Sequence, residues 1–131
     1  MISSTSLRIA RPTDNLTIIT NMYCKGLNFT ILGEFKNHEN FDGIMLGHPN
    51  HSWHLEFTHH HNTHVGKAPT QDNLLVFYIE DKFEWQEQIK KMQEAGFILV
   101  SSYNPYWDKN GKTFEDIDGY RVVLQNNASI I

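Results

Sequence analysis

Seven histidines, His48, His51, His54, His59, His60, His61 and His64, fall within 17 residues of this 131-residue chain. Imidazole is a common ligand for zinc, copper and nickel, so the cluster raises metal chemistry first. The rest of a recognised site is missing. There is no HEXXH pair, there are no cysteine pairs, and Cys24 is the single cysteine. Consecutive histidines on a strand point to alternate sides, and a loop does not fix ligand geometry. A solvated histidine-rich loop is therefore the simpler reading. One spacing still suits a ligand pair: His54 and Glu56, two apart on one strand face, with a third ligand from elsewhere.

Other chemistry is absent from the pattern. The chain has no G-x-S-x-G elbow, no phosphate-cradling glycine loop and no cysteine with an evident base. Asp116 and Asp118 sit in a predicted turn, where aspartate bonds the backbone. Net charge is −4, which gives no electrostatic case for nucleic acid or an anionic membrane. No apolar run approaches the roughly 20 residues that span a bilayer. The lone cysteine excludes an internal disulfide framework and fits a reducing, cytoplasmic setting. Cys24 itself reads as a small packed residue. Met1–Ser6 reads as a short lead-in.

The elements that must position these residues come in two similar halves. A strand over Leu7–Pro12 precedes a helix over roughly 15–25, capped by Thr13-Asp14 and closed by Gly26-Leu27-Asn28-Phe29. Leu16, Ile19, Met22 and Tyr23 mark its apolar face. A strand over Asn73–Asp81 precedes a helix over roughly 82–95, closed by Gly96-Phe97. Asp81 with Glu84 makes its capping box, and Trp85, Ile89 and Met92 its apolar stripe. Further strands are predicted over Asn28–Phe35, Phe41–Gly47, Trp53–Thr58, Ile98–Tyr103 and Tyr120–Gln125. The Asp118-Gly119 step signals a tight hairpin. The offset is 67 residues between Leu7 and Leu74, and 70 between Gly26 and Gly96. Such an offset predicts two copies of one supersecondary unit. The expected layout is a single domain over residues 1–131, with modules at about 7–58 and 73–125 and a connector over 59–72.

Four segments in order carry a family resemblance. They are Arg8-Ile9-Ala10 with Asn15-Leu16, Met22-Tyr23 with Gly26-Leu27, Leu75–Asp81, and Phe114–Gly119. Together they resemble the vicinal oxygen chelate superfamily of glyoxalase I, bleomycin-resistance proteins, extradiol dioxygenases and fosfomycin-resistance enzymes. Ile117 stands where the family's hairpin usually has proline. The resemblance implies an α+β fold in which paired βαβββ modules form a cup-shaped curved β-sheet, with the helices outside. It also implies a divalent metal held by His or Glu from the first and fourth strands of each half. Those positions fall here on Arg8 or Leu7 (depending on the anchor used), Glu56, Leu74 and Val123. Glu56 alone is an ordinary ligand, whereas a catalytic zinc site needs about three.

Strand alternation predicts what lines the sheet faces. Arg8 goes with Ala10, Glu56 with His54 and Thr58, Leu74 with Val76 and Tyr78, and Val123 with Arg121 and Gln125. Arginine suits bidentate capture of a carboxylate or phosphate. The alternative is that one arginine simply neutralises Glu56. Tyr106 and Trp107, in the segment Tyr103–Trp107, form either a lid or a structural corner. The expected ligand-binding set is Arg8, His54, Glu56, Tyr78, Tyr106, Trp107 and Arg121. The expected function is metal-free binding of a small, partly apolar anionic molecule, in the manner of the drug-sequestering resistance proteins. The alternative is a metal-dependent lyase, isomerase or dioxygenase using zinc, iron, manganese or nickel on Glu56 and His54. A third reading is an interaction protein whose cup is filled by its own side chains. A homodimer is expected from the resemblance.

Overall fold

The computed structural model describes residues 3–129, so Met1 and Ile2 of the expected lead-in lie outside the described residues. The chain divides into two compact units. One holds the residues through Cys24 together with Asn28–Gly66, and the other holds Lys25–Leu27 with the residues from Lys67 on.

In the first unit, β1 (Leu7–Pro12) is followed by helix α1 (Leu16–Leu27) and by β2 (Thr30–His38), β3 (Phe41–Gly47) and β4 (Trp53–His60). The sheet order is β1-β4-β3-β2, with β1 parallel to β4. Ile19, Met22 and Tyr23 are buried, as are Leu46, Leu55 and Phe57 of the sheet. The Tyr23 and Phe57 rings lie 5.0 Å apart. Each such fully buried side chain contributes about 1.5–3 kcal/mol. The predicted face of α1 is therefore its core face.

The ends of α1 differ from the sequence reading. Asn15 occupies the N-cap and makes no side-chain cap bond. Thr13 Oγ1 accepts the Asn15 N–H at 3.0 Å instead. The Asp14 carboxylate turns to the connector, where it accepts the N–H groups of Val65 and Gly66, each at 2.9 Å. The helix also runs through Gly26 and ends at Asn28, which takes the left-handed conformation at φ 57°. Gly26 is needed for close approach. A Cβ there would lie 2.9 Å from the Phe97 ring and 3.1 Å from the Met92 sulfur.

The second unit repeats the plan. β5 (Leu74–Tyr78), α2 (Lys82–Glu94), β6 (Ile98–Val100), β7 (Gly111–Glu115) and β8 (Arg121–Gln125) form a sheet of order β5-β8-β7-β6. β5 is parallel to β8. The Asp81 carboxylate accepts the Glu84 N–H at 2.8 Å, as the capping signal predicts. Met92 is fully buried, and Trp85 Nε1 donates to the Leu124 carbonyl at 2.9 Å. Gly96 follows the helix at φ 97°, a conformation open to glycine. Two sheets with one strand order and one helix each make the fold α+β, with paired βαβββ modules.

Several strand bounds are corrected: β2 runs over Thr30–His38 rather than Asn28–Phe35, and β5 ends at Tyr78. The run predicted over Ile98–Tyr103 stops at Val100, and residues 105–108 form a short 3-10 turn led by Pro105. β7 was not predicted: Gly111-Lys112-Thr113 carries no alternating apolar signal, although Thr113 and Phe114 are buried. β4 continues past Thr58 to His60, which brings two histidines of the expected connector into the sheet. No helix among the described residues is long and apolar enough to cross a membrane.

Candidate functional site

In the first unit, the parallel register places Arg8 opposite His54 and Ala10 opposite Glu56. These residues share the sheet face opposite to Leu55 and Phe57, the strand residues buried with α1. Arg8 Nε donates to His54 Nε2 at 2.9 Å. Its Nη1 lies 3.6 Å from Glu56 Oε2. The Arg8 side chain is 49% exposed and that of Glu56 12%. A half-exposed guanidinium thus meets both His54 and the largely covered Glu56. Arg8 therefore pairs with Glu56 while part of its guanidinium stays exposed.

This arrangement does not fit a metal. The two candidate ligands, the His54 ring nitrogen and the Glu56 carboxylate, already face one fixed cation. A metal ion bound to both would meet that charge at close range. Among the described residues, no three His, Cys, Asp or Glu side chains converge to hold a metal ion. Leu74 and Val123, at the family's positions in the second unit, offer no donor.

In the second unit, Leu74 pairs with Arg121, Val76 with Val123 and Tyr78 with Gln125. The grouping predicted by alternation is present within this sheet. Arg121 is buried and committed. Its Nε donates to Glu115 Oε2 at 3.0 Å, and its Nη1 to the Ser101 carbonyl at 3.3 Å. Gln125 Nε2 donates to the Trp107 carbonyl at 2.9 Å, which ties the 3-10 turn to β8. Trp107 is half-buried, and its ring meets that of Tyr106 edge-on at 5.0 Å. Tyr106 and Tyr78 are exposed. Ser102 and Thr113 share a hydroxyl hydrogen bond that joins the start of this loop to β7. An open recess of about 400 Å³, lined by Lys67–Gln71, Glu115, Ile117 and Gly119, adjoins the hairpin.

Sequence reasoning missed Glu115 as the partner of Arg121. The signal was present: the two lie equally far from Asp118, so a hairpin centred there sets them face to face. The turn itself has three loop residues, closed by the Asp116 N–H donating to the Tyr120 carbonyl at 2.9 Å. Gly119 takes φ 87°. Asp116 Oδ1 accepts the N–H groups of Asp118 at 2.8 Å and Tyr120 at 3.1 Å, the backbone role expected of it. Burial pushes the Cys24 thiol above its usual range, which suits a packed residue.

Residues 7–58 match the YycE-like N-terminal domain model and residues 72–126 the YycE-like C-terminal domain model. The chain is 41% identical over 124 residues to the uncharacterized protein YycE of Bacillus subtilis (strain 168), covering 95% of this chain and 89% of that protein. The chain belongs to the YycE-like family. A crystal structure of a Bacillus subtilis YycE protein superposes with a TM-score of 0.90 at 40% identity, covering 98% of this chain and 94% of that one. That structure is described as a protein of unknown function of glyoxalase/fosfomycin-resistance type. The fold extends further. Glyoxalase I of Leishmania major gives a TM-score of 0.71 at 18% identity, covering 92% of this chain and 84% of that one. The antibiotic binding protein TnmS3 from Streptomyces sp. CB03234 gives 0.65 at 18% identity, covering 95% of each chain. These two structures share the chain's fold.

Proposed function

We propose that the protein binds a small, partly apolar molecule bearing a carboxylate or phosphate, without a resident metal. The observation that carries this reading is the half-exposed Arg8 guanidinium beside His54 and Glu56. Arginine presents a planar fork to an anion, and the exposed part of this one is open to a ligand. Arg121 is set aside as the anchor because it is buried and bonded through Nε to Glu115 and through Nη1 to the Ser101 carbonyl. Leu74 and Val123 offer no metal donor, which favours a sequestering role over metal-dependent catalysis. A metal-dependent lyase, isomerase or dioxygenase would have to build its site on Glu56 and His54 after moving Arg8 away.

We also retain Tyr78, Tyr106 and Trp107, which supply aromatic surface within the second unit, as ligand-binding residues. A cytoplasmic homodimer completes the proposal. Exposed Ile31 and Leu32 on the edge strand β2 are the apolar residues such a pairing would cover.

The test is a thermal-shift and calorimetric screen with small aromatic carboxylates and phosphonates. Hits should lose about tenfold or more in affinity with Arg8→Ala, the loss expected for removing a charge-assisted contact. Equal binding by wild type and Arg8→Ala would exclude Arg8 as the anchor.

A further inference from the structure

The histidine run His59-His60-His61 plays no part in the proposed ligand site, yet each of its rings has a specific partner. Alternation along β4 sends His60 to one side, where its ring stacks on Phe41 at 4.3 Å with a 7° interplanar angle. His59 lies on the other side, and His61, just past the strand end, meets it there with ring centroids 6.4 Å apart. Asp42 lies there too, since it pairs with His59 in the β3–β4 register. This is the sheet face opposite to Glu56.

Each ring has one nitrogen fixed by an acceptor. His59 Nδ1 lies 3.0 Å from the Thr13 carbonyl. A carbonyl only accepts, so the proton sits on Nδ1, and Nε2 of the neutral ring keeps its lone pair. His61 Nε2 lies 2.9 Å from Asp42 Oδ1. The Asn37 N–H donates to the same Asp42 Oδ1 at 2.8 Å, so that oxygen acts as an acceptor. His61 therefore carries its proton on Nε2 and keeps the lone pair on Nδ1. Imidazoles that bind metals are oriented in this way, with the non-ligating N–H donated to a carbonyl or carboxylate. A cation held at about 2.0–2.1 Å from two imidazole nitrogens sets the ring centroids about 5 Å apart at a tetrahedral angle, and about 6.5 Å apart only when the nitrogens lie on opposite sides of it. The observed 6.4 Å spacing is the wide limit, so the two rings swing together by about 1 Å to share a tetrahedral cation.

We infer that His59 and His61 form a two-imidazole clamp for a borderline divalent cation such as zinc, nickel or copper. Thr13 and Asp42 orient the rings, and water or a further ligand completes the coordination. Imidazole selects these ions over magnesium and calcium, which prefer oxygen donors. The clamp is separate from the Arg8–His54–Glu56 cluster and stands or falls without it.

Calorimetric titration of the untagged full-length protein with Zn²⁺ and Ni²⁺ tests the clamp. One cation per chain is expected. His59→Ala and His61→Ala should each lower affinity about tenfold or more, while His54→Ala and His60→Ala leave it unchanged. Asp42→Ala should cost about 10–100-fold, and Asp42→Asn, whose amide oxygen still accepts, should recover most of that. On adding Zn²⁺, the nitrogen resonances of His59 Nε2 and His61 Nδ1 should shift. Absence of binding, or binding indifferent to His59→Ala and His61→Ala, would overturn the inference. Circular dichroism on each variant separates lost binding from lost fold.

Discussion

Arg8 Nε donates to His54 Nε2 at 2.9 Å across the parallel β1–β4 pair. A guanidinium nitrogen can only donate, so this histidine nitrogen must be the acceptor and carries no proton. The relationship assigns the His54 tautomer and places a permanent cation beside Glu56. It also keeps the His54–Glu56 pair from acting as a ready-made metal chelate.

The tautomer is measurable. Long-range proton–nitrogen NMR at neutral to mildly alkaline pH should find the His54 proton on Nδ1. Arg8→Ala should release that preference toward the mixture of an unconstrained imidazole. A wild-type spectrum with the proton on Nε2 would contradict the contact.

The two arginines should differ in their effect on stability. Arg8 is half-exposed, and its pairs are worth about 0–1 kcal/mol. Arg121 is buried, with charge-assisted bonds to Glu115 and Ser101. Arg121→Ala should cost about 1.5–3 kcal/mol, discounted because Glu115 stays partly exposed. Urea denaturation of both variants gives the comparison. Equal losses would refute the distinction drawn between anchor and strut.

The Asp14 carboxyl is held below its ordinary value of 3.8, first by the Val65 N–H, then by the Gly66 N–H. A depressed folded value means stabilisation that is in force above the unfolded value and lost as pH falls through the folded one. Asp14→Asn should therefore lower the urea midpoint at neutral pH. The gap to wild type should narrow as pH drops below about 4, where the unfolded-state carboxyl is protonated. A gap independent of pH would show that the charge is irrelevant to this loop tie.

Gly111 gives a sharper packing test. A Cβ there would lie 2.0 Å from Gln125 Nε2 and 2.7 Å from the Leu124 carbonyl. The backbone atom cannot retreat as a side chain can. Gly111→Ala should cost about 1–3 kcal/mol and free the Trp107 carbonyl from Gln125. Denaturation together with Trp fluorescence reads both effects.

The chain's repeat, its helix faces and the Asp81 cap could be read before the structure because they rest on local periodicity and capping chemistry. Same-face groupings such as Arg8 with Ala10, or Arg121 with Gln125, followed from the two-residue period of strands. The failures have physical reasons. β7 lacks apolar alternation because its buried Thr113 meets a hydroxyl partner, Ser102, rather than an apolar core. Asp14 is a good cap by type, but two backbone donors of the distant connector take its carboxylate. Gly26 resembled a helix stop, whereas its missing side chain makes room for Phe97 and Met92. The roles of His59 and His61 depended on Thr13 and Asp42, which no spacing rule brings together.

Metal stoichiometry in a His59→Ala/His61→Ala background tests the central claim most directly. With those two imidazoles removed, protein equilibrated with zinc, iron, manganese and nickel and then desalted should retain no divalent cation. About one tightly held ion per chain, lost again on adding Glu56→Ala, would contradict an arginine-centred site and restore a metal to the sheet face of His54 and Glu56.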